Sequence, residues 1–271
     1  MADERQLEYE DEQTADRSAQ QPAVERANAG GSDLPIKQGA VFGAIALIAT
    51  YLSHLFLTAI ATARSTPAAG MVGEGEDASL VVAEMVASWK AAGWSYLSTF
   101  GTGFEAEGEV ASLGGVPNHG AASVSGAFSM STLFLFLVTI GGIAAAGYAV
   151  ARHTEADDAV EAAKAGVTVA VPYFAFALLA ALVMTHTFSE GPAIEALVGG
   201  EFSSGAVPGL EAADYLGSEG HVTSEVEFGP SVTDAILYAG LIVPVVLGAL
   251  GGVAAQREDA LEKLMAKVDQ L

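Results

Sequence analysis

Apolar residues in this chain fall into four long, uninterrupted blocks separated by polar, glycine-rich stretches. The clearest block is Phe128–Ala151, FSMSTLFLFLVTIGGIAAAGYAVA, which carries no ionisable side chain. At 1.5 Å rise per residue, a helix of that length crosses a hydrocarbon core of about 30 Å. Gln38–Ala63, Ala165–Phe188 and Thr233–Ala255 repeat the pattern. Soluble core helices rarely run so far without a charge on an exposed face. The pattern predicts an all-α integral membrane protein: a bundle of four transmembrane helices within residues 37–255, spanning about 38–63, 128–151, 165–188 and 233–255.

Small residues punctuate these spans. Gly39 and Gly43 in the first, Gly142 in the second, and Gly248 and Gly252 in the fourth are expected to let helix backbones approach closely. Pro172 predicts a kink in the third span, Pro244 lies at the middle of the fourth, and together the two prolines admit a transport reading. The run Gly141–Ala145 resembles Gly251–Ala255, as a weak duplication of two helical hairpins would require.

The segments between the blocks differ in character. Residues 1–36 are acidic and poor in large apolar side chains, so they predict a disordered tail. Within the connection 64–127, Val82, Met85, Val86, Trp89, Gly93, Tyr96, Leu97 and Phe100 recur at spacings of three and four. This predicts an amphipathic helix over 77–100, lying at the membrane interface or capping the bundle. It holds both tryptophans, Trp89 and Trp94, the candidates for an apolar patch facing a partner. Residues 101–126 read as irregular, 152–164 as a tight charged turn, and 189–232 as a second acidic loop. Leu261, Leu264, Val268 and Leu271 give 256–271 the pattern of a short amphipathic helix, either a coiled-coil seam or a surface-lying tail.

Charge then sets the orientation. Nine of the eleven Lys and Arg residues lie in the N-terminal segment up to Lys37, the 152–164 turn and the C-terminal tail; the long connections hold only Arg64 and Lys90. The positive-inside rule puts both termini in the cytoplasm and both long loops outside. No basic n-region precedes an apolar stretch at the N-terminus, so the first span is expected to serve as the insertion signal. A net charge of −22 excludes nucleic acid as a partner and suits a surface bathed in molar salt, with an ordinary acidic membrane protein as the alternative. The absence of cysteine excludes disulfides, thiolate metal sites, a catalytic thiol and a lipid anchor on Cys.

Two stretches, PIKQGAVFGAIALIATYLSHLFLTAI (Pro35–Ile60) and SWKAAGWSYLSTF (Ser88–Phe100), resemble uncharacterised multi-pass membrane proteins of haloarchaea, a family of unknown function. The likeness covers the first half of the chain, and Trp-Lys-x-x-Gly-Trp is its most specific part. It implies an integral membrane protein of an extreme halophile and brings no activity, cofactor or catalytic residue.

Phosphate-loop, dinucleotide-binding, zinc-protease and serine-hydrolase motifs are all absent, so no enzymatic activity and no cofactor is expected. Three ionisable groups fall at one predicted depth: His54, about 24 Å along the first span, His186 near the end of the third, and Asp234 at the start of the fourth. Together they would relay protons or hold a cation. Separately, His186 and Asp234 would reach the headgroups. The reading that follows is a structural or interaction component of a haloarchaeal cell membrane, in contact with lipid and with a second copy or another membrane protein. The alternative is a small proton or ion transporter, or an oligomeric channel, built on the His/Asp cluster.

Overall fold

A computed structural model describes residues 34–121, 129–200 and 203–257. The chain order is α1 (Ile36–Thr62), β1 (Ala69–Val72), β2 (Ser79–Val82), α2 (Ser88–Ser98), β3 (Phe104–Ala106), β4 (Glu109–Ala111), α3 (Ser129–His153), α4 (Ala159–Val167), α5 (Ala170–Val183), β5 (His186–Phe188), α6 (Gly191–Val198), β6 (Gly199–Gly200), β7 (Ser203–Ser204), α7 (Ala212–Tyr215), β8 (Val226–Pro230), α8 (Val232–Asp234), a π-helical stretch Ala235–Ile242, and α9 (Val243–Ala255). Four helical stretches, Ile36–Thr62, Met130–His153, Ala159–Val183 and Val232–Ala255, are long and apolar enough to cross a membrane. The tail 1–33 and the predicted helix beyond Arg257 lie outside the described residues.

Two of these stretches are broken, each next to a proline. Pro172 has no N–H to offer the Thr168 carbonyl, so α-helical pairing fails four residues before it. The chain passes through shorter i→i−3 bonds (Thr168 N–H to Ala165 O, 3.2 Å; Val169 N–H to Gly166 O, 3.2 Å; Val171 N–H to Thr168 O, 3.3 Å) and separates α4 from α5. The expected kink is therefore a break at Thr168–Val169. Pro244 likewise leaves the Gly240 carbonyl without its donor, and the turns ahead of it widen to π geometry over Ala235–Ile242.

At the end nearer the termini, the helices meet through backbone. A Cβ on Gly39 would collide with Thr168. One on Gly43 would lie 2.5 Å from the Val169 carbonyl oxygen, and one on Gly142 would lie 2.8 Å from Thr50 Cγ2. Gly147 and Gly166 both close on the Gly248 carbonyl, Gly251 closes on Ala144, and Gly252 on Ala162. The two similar runs, Gly141–Ala145 and Gly251–Ala255, thus pack on each other. Asp158 caps α4, accepting the Val160 and Glu161 N–H groups. Gln256 Nε2 donates to the Ala156 carbonyl at 2.6 Å, tying the end of α9 to the same turn.

The two long connections form a folded cap at the other end, so the protein is mostly helical but not all-α. A four-stranded antiparallel sheet, ordered β4-β3-β8-β5, takes strands from both connections. Phe104 pairs with Pro230, Ala106 with Phe228, and His186 with Phe228. The third span stops at Val183 because His186–Phe188 joins this sheet. Residues 101–111, read as irregular, form the β3–β4 hairpin: Glu107 (φ 51°) and Gly108 (φ 82°) supply the two left-handed positions of its turn. Residues 79–82, assigned to a helix by spacing, form β2 and pair with β1. Asn118 holds this hairpin, its Oδ1 accepting the Ala68 N–H at 2.6 Å and its Nδ2 donating to the Glu84 carbonyl at 2.9 Å.

Helix α2 is the keystone of the cap. Its residues Ala91 to Leu97 are all buried, with Trp94, Tyr96 and Leu97 wholly inaccessible. It caps the bundle, lodged between α1, the end of α5 and β8. Ala91, Ala92 and Gly93 give it a thin waist, and Gly93 lies against the Met184 sulfur.

Candidate functional site

The buried face of α1 runs Gly39, Gly43, Thr50, His54, Thr58 and Ala61. Its exposed face is Val41, Ile45, Ile48, Leu52 and Phe56. Polarity is thus inverted relative to a soluble helix. His54 sits at the centre of the polar stripe with 1 % of its surface exposed. Its Nδ1 is 3.0 Å from Ser95 Oγ of α2, and its Nε2 is 3.2 Å from Thr139 Oγ1 of α3. One imidazole therefore joins three helices, with the Tyr96 ring standing edge-on at 5.1 Å.

One turn away, Thr50 Oγ1 donates to the Ala46 carbonyl (2.8 Å), so the Tyr96 hydroxyl donates to Thr50 (2.9 Å). Tyr173 brings its hydroxyl toward those of Tyr96 and Thr50, whereas Thr58, Thr62 and Thr102 Oγ1 find no hydrogen-bond partner among the described residues. Tyr51 Oη donates to the Trp89 carbonyl at 3.0 Å, fastening α2 to α1. Beside His54 opens a cleft of about 300 Å³ lined by Ser95, Ser98, Thr99, Thr132, Leu135 and Phe136.

The other two members of the predicted cluster have separate surroundings. His186 lies on β5 with its ring edge-on to Phe188 at 4.6 Å. Asp234 accepts the Gly103 N–H at 3.1 Å and anchors the start of the fourth span to the cap. No three His, Cys, Asp or Glu groups among the described residues come together as metal ligands. Equal depth along a span does not bring groups together when α2 and the sheet fold in between.

The tryptophans also part company. Trp94 is buried, donating Nε1–H to the Met184 carbonyl at 2.6 Å and standing 4.8 Å from the Phe228 ring. Trp89 is 41 % exposed, with Lys90 Nζ 5.6 Å from its ring. Only Trp89 remains available to a partner. Lys90 Nζ reaches the Thr185 carbonyl at 2.6 Å, so the Trp-Lys-x-x-Gly-Trp run serves chiefly to seat α2.

Sequence reasoning found His54 but missed Ser95, Tyr96 and Thr139. The signal for Thr139 was a lone hydroxyl in the otherwise apolar block Leu133–Ile140.

The family of unknown function DUF7978 matches residues 18–259, through all four long apolar helices. The chain belongs to this family. No curated protein and no solved structure matches the chain. The family match extends well past the half of the chain that carried the sequence resemblance.

Proposed function

We propose that this chain is a non-enzymatic membrane protein that crosses the bilayer four times, with both termini in the cytoplasm and the folded cap outside. Its role is that of a structural or interaction component of the cell membrane, and its −22 charge suits a haloarchaeal setting. The observation that carries the reading is the inverted polarity of the spans. Ile45, Phe56, Phe134, Leu137, Leu179, Leu182 and Leu250 are all more than half exposed, while Thr50, His54, Thr58 and Thr139 are buried. Such an arrangement is stable only in an apolar solvent. On the cap, Met71, Leu80 and Val82 share one face of the β1–β2 hairpin and are each more than half exposed, a surface suited to a partner.

The chain has no cysteine, so single cysteines report topology cleanly. Glu109→Cys on the cap is expected to react with an impermeant maleimide in intact cells, and Asp157→Cys only after permeabilisation. Equal reaction of both in intact cells would overturn the orientation.

A second reading, a proton or ion transporter, draws on the two broken spans. The breaks at Thr168–Val169 and Ala235–Ile242 offer hinges, and broken helices are the usual frame of transport sites. Against a fixed pore stands the backbone-level packing at the terminal end, where among the described residues the buried face of α1 before Thr50 is Gly39 and Gly43. Proton flux in proteoliposomes that His54→Ala abolishes would favour transport; flux-free, well-folded protein favours the structural reading.

A further inference from the structure

The His54 cleft combines a polar floor with an apolar lip. Its floor is His54, Ser95, Ser98 and Thr99; its lip is Leu135 and Phe136, with Thr132 one turn earlier on the same helix. His54 lies eight residues from the end of α1 at Thr62, or about 12 Å, which puts the cleft just beneath the headgroup level in the bilayer reading of the preceding subsection. Phe136 and its neighbours Leu133, Phe134 and Leu137 are exposed, so the lip adjoins the lipid.

The donors in the floor are already committed. Ser98 Oγ–H donates to the Ser95 carbonyl at 2.8 Å, and Thr99 Oγ1–H to the same carbonyl at 3.1 Å. Both ring nitrogens of His54 are engaged by Ser95 and Thr139. What Ser98 and Thr99 still offer is oxygen lone pairs, which call for a donor on the ligand. Among the described residues no Lys, Arg, Asp or Glu lines the cleft. A phosphate, carboxylate or ammonium would therefore sit there unpaired, at heavy cost in a low-dielectric site.

We propose that this cleft binds the hydroxyl headgroup of an uncharged membrane amphiphile, a long-chain alcohol or diol, whose tail leaves past Leu135 and Phe136. The volume of about 300 Å³ suits a headgroup and the first carbons of a chain rather than a whole lipid. The proposal rests on the bilayer reading.

The test uses the full chain in phospholipid nanodiscs with a long-chain vicinal diol carrying a diazirine near its head. Its dimethyl ether, which cannot donate, is the matched control. The expected result is labelling of peptides containing Ser95–Gly101 and Thr132–Phe136 at least about fivefold above the ether, the effect of one lost hydrogen bond. Ser98→Ala with Thr99→Ala should lower diol labelling to the ether's level while the melting temperature holds. Equal labelling by diol and ether, labelling that survives the double substitution, or competition by a single-chain phosphate as strong as by unlabelled diol would each overturn the proposal. Alkaline extraction separates the two readings. Protein that stays in the membrane yet ignores the diol sinks the cleft alone, whereas protein that washes off sinks the bilayer reading.

Discussion

The two ends of the bundle are held together in opposite ways. At the end nearer the termini, cohesion comes from missing side chains: Gly39, Gly43, Gly147, Gly166, Gly248, Gly251 and Gly252 bring helix backbones into direct contact. At the cap end, cohesion comes from the largest side chains in the protein. Trp94, Tyr96, Phe104 and Phe228 pack edge-on or stacked, with Phe104 and Phe228 5.6 Å apart and nearly parallel. On the bilayer reading proposed above, the difference follows from the solvent each end is built for. Between helices in lipid there is little hydrophobic gain from bulk, so close approach and dispersion dominate. A cap exposed to water gains from burying aromatic surface.

That contrast breaks in opposite directions. Trp94→Ala should have the largest effect, about 3–5 kcal/mol, because it empties a fully buried site and strands the Met184 carbonyl. Thermal unfolding in detergent would read it as loss of the cap, and Trp94→Phe should recover most of the loss. Gly248→Ala is next, at about 1–3 kcal/mol, because the added methyl meets the Gly166 carbonyl and the Val169 side chain. Removing atoms damages one end; adding a single carbon damages the other. If Gly248→Ala were neutral, the tight backbone contact would not be what holds the terminal end.

The smallest effect belongs to His119, on the cap beside Trp94. Its Nε2–H donates to the Leu113 carbonyl at 3.0 Å, and its Nδ1 accepts the Ala121 N–H at 3.1 Å, an arrangement that holds the neutral ring. Burial lowers its pKa below the ordinary 6.5. As pH falls from 6.5 toward the folded value, the unfolded chain binds the proton first, so stability is lost across that window. His119→Gln should flatten the acid limb of the stability profile and leave the neutral limb nearly unchanged. An unaltered acid limb would place the sensitivity elsewhere.

The spans were legible because an apolar run of more than 20 residues has few alternatives. Their ends were read to within two residues except in the third, which begins at Ala159 inside the stretch 152–164 read as a turn and gives way to β5 after Val183. The breaks were half legible: Pro172 and Pro244 marked the right places, but the proline's effect falls on the turn before it. Helix α2 lies inside the stretch read as a capping helix, but the sheet of the cap was not read, for a physical reason. Its strands are two to five residues long, too short for periodicity to separate from loop, and the pairings that build the four-stranded sheet reach far along the chain, Phe104 to Pro230 and His186 to Phe228. Only Phe104–Ala111, FEAEGEVA, carried a local signal, alternation around a turn ending in glycine. His54 stood out because an ionisable group in an apolar run needs a partner. Which partner it found depended on α2, whose depth no spacing in the sequence encodes.

The pairing of β3 with β8 also sets a timetable. Phe104 leaves the ribosome 126 residues before its partner Pro230. At about 5–20 residues per second, the first strand waits roughly 6–25 s for the second. During that interval, β3 and β4 are a two-stranded ribbon whose β3 edge still lacks its partner, and two-stranded ribbons are marginal in water. The last long connection to be made is therefore the one that completes the sheet, and a chain cut short before Val226 would carry three spans beneath an unfinished roof.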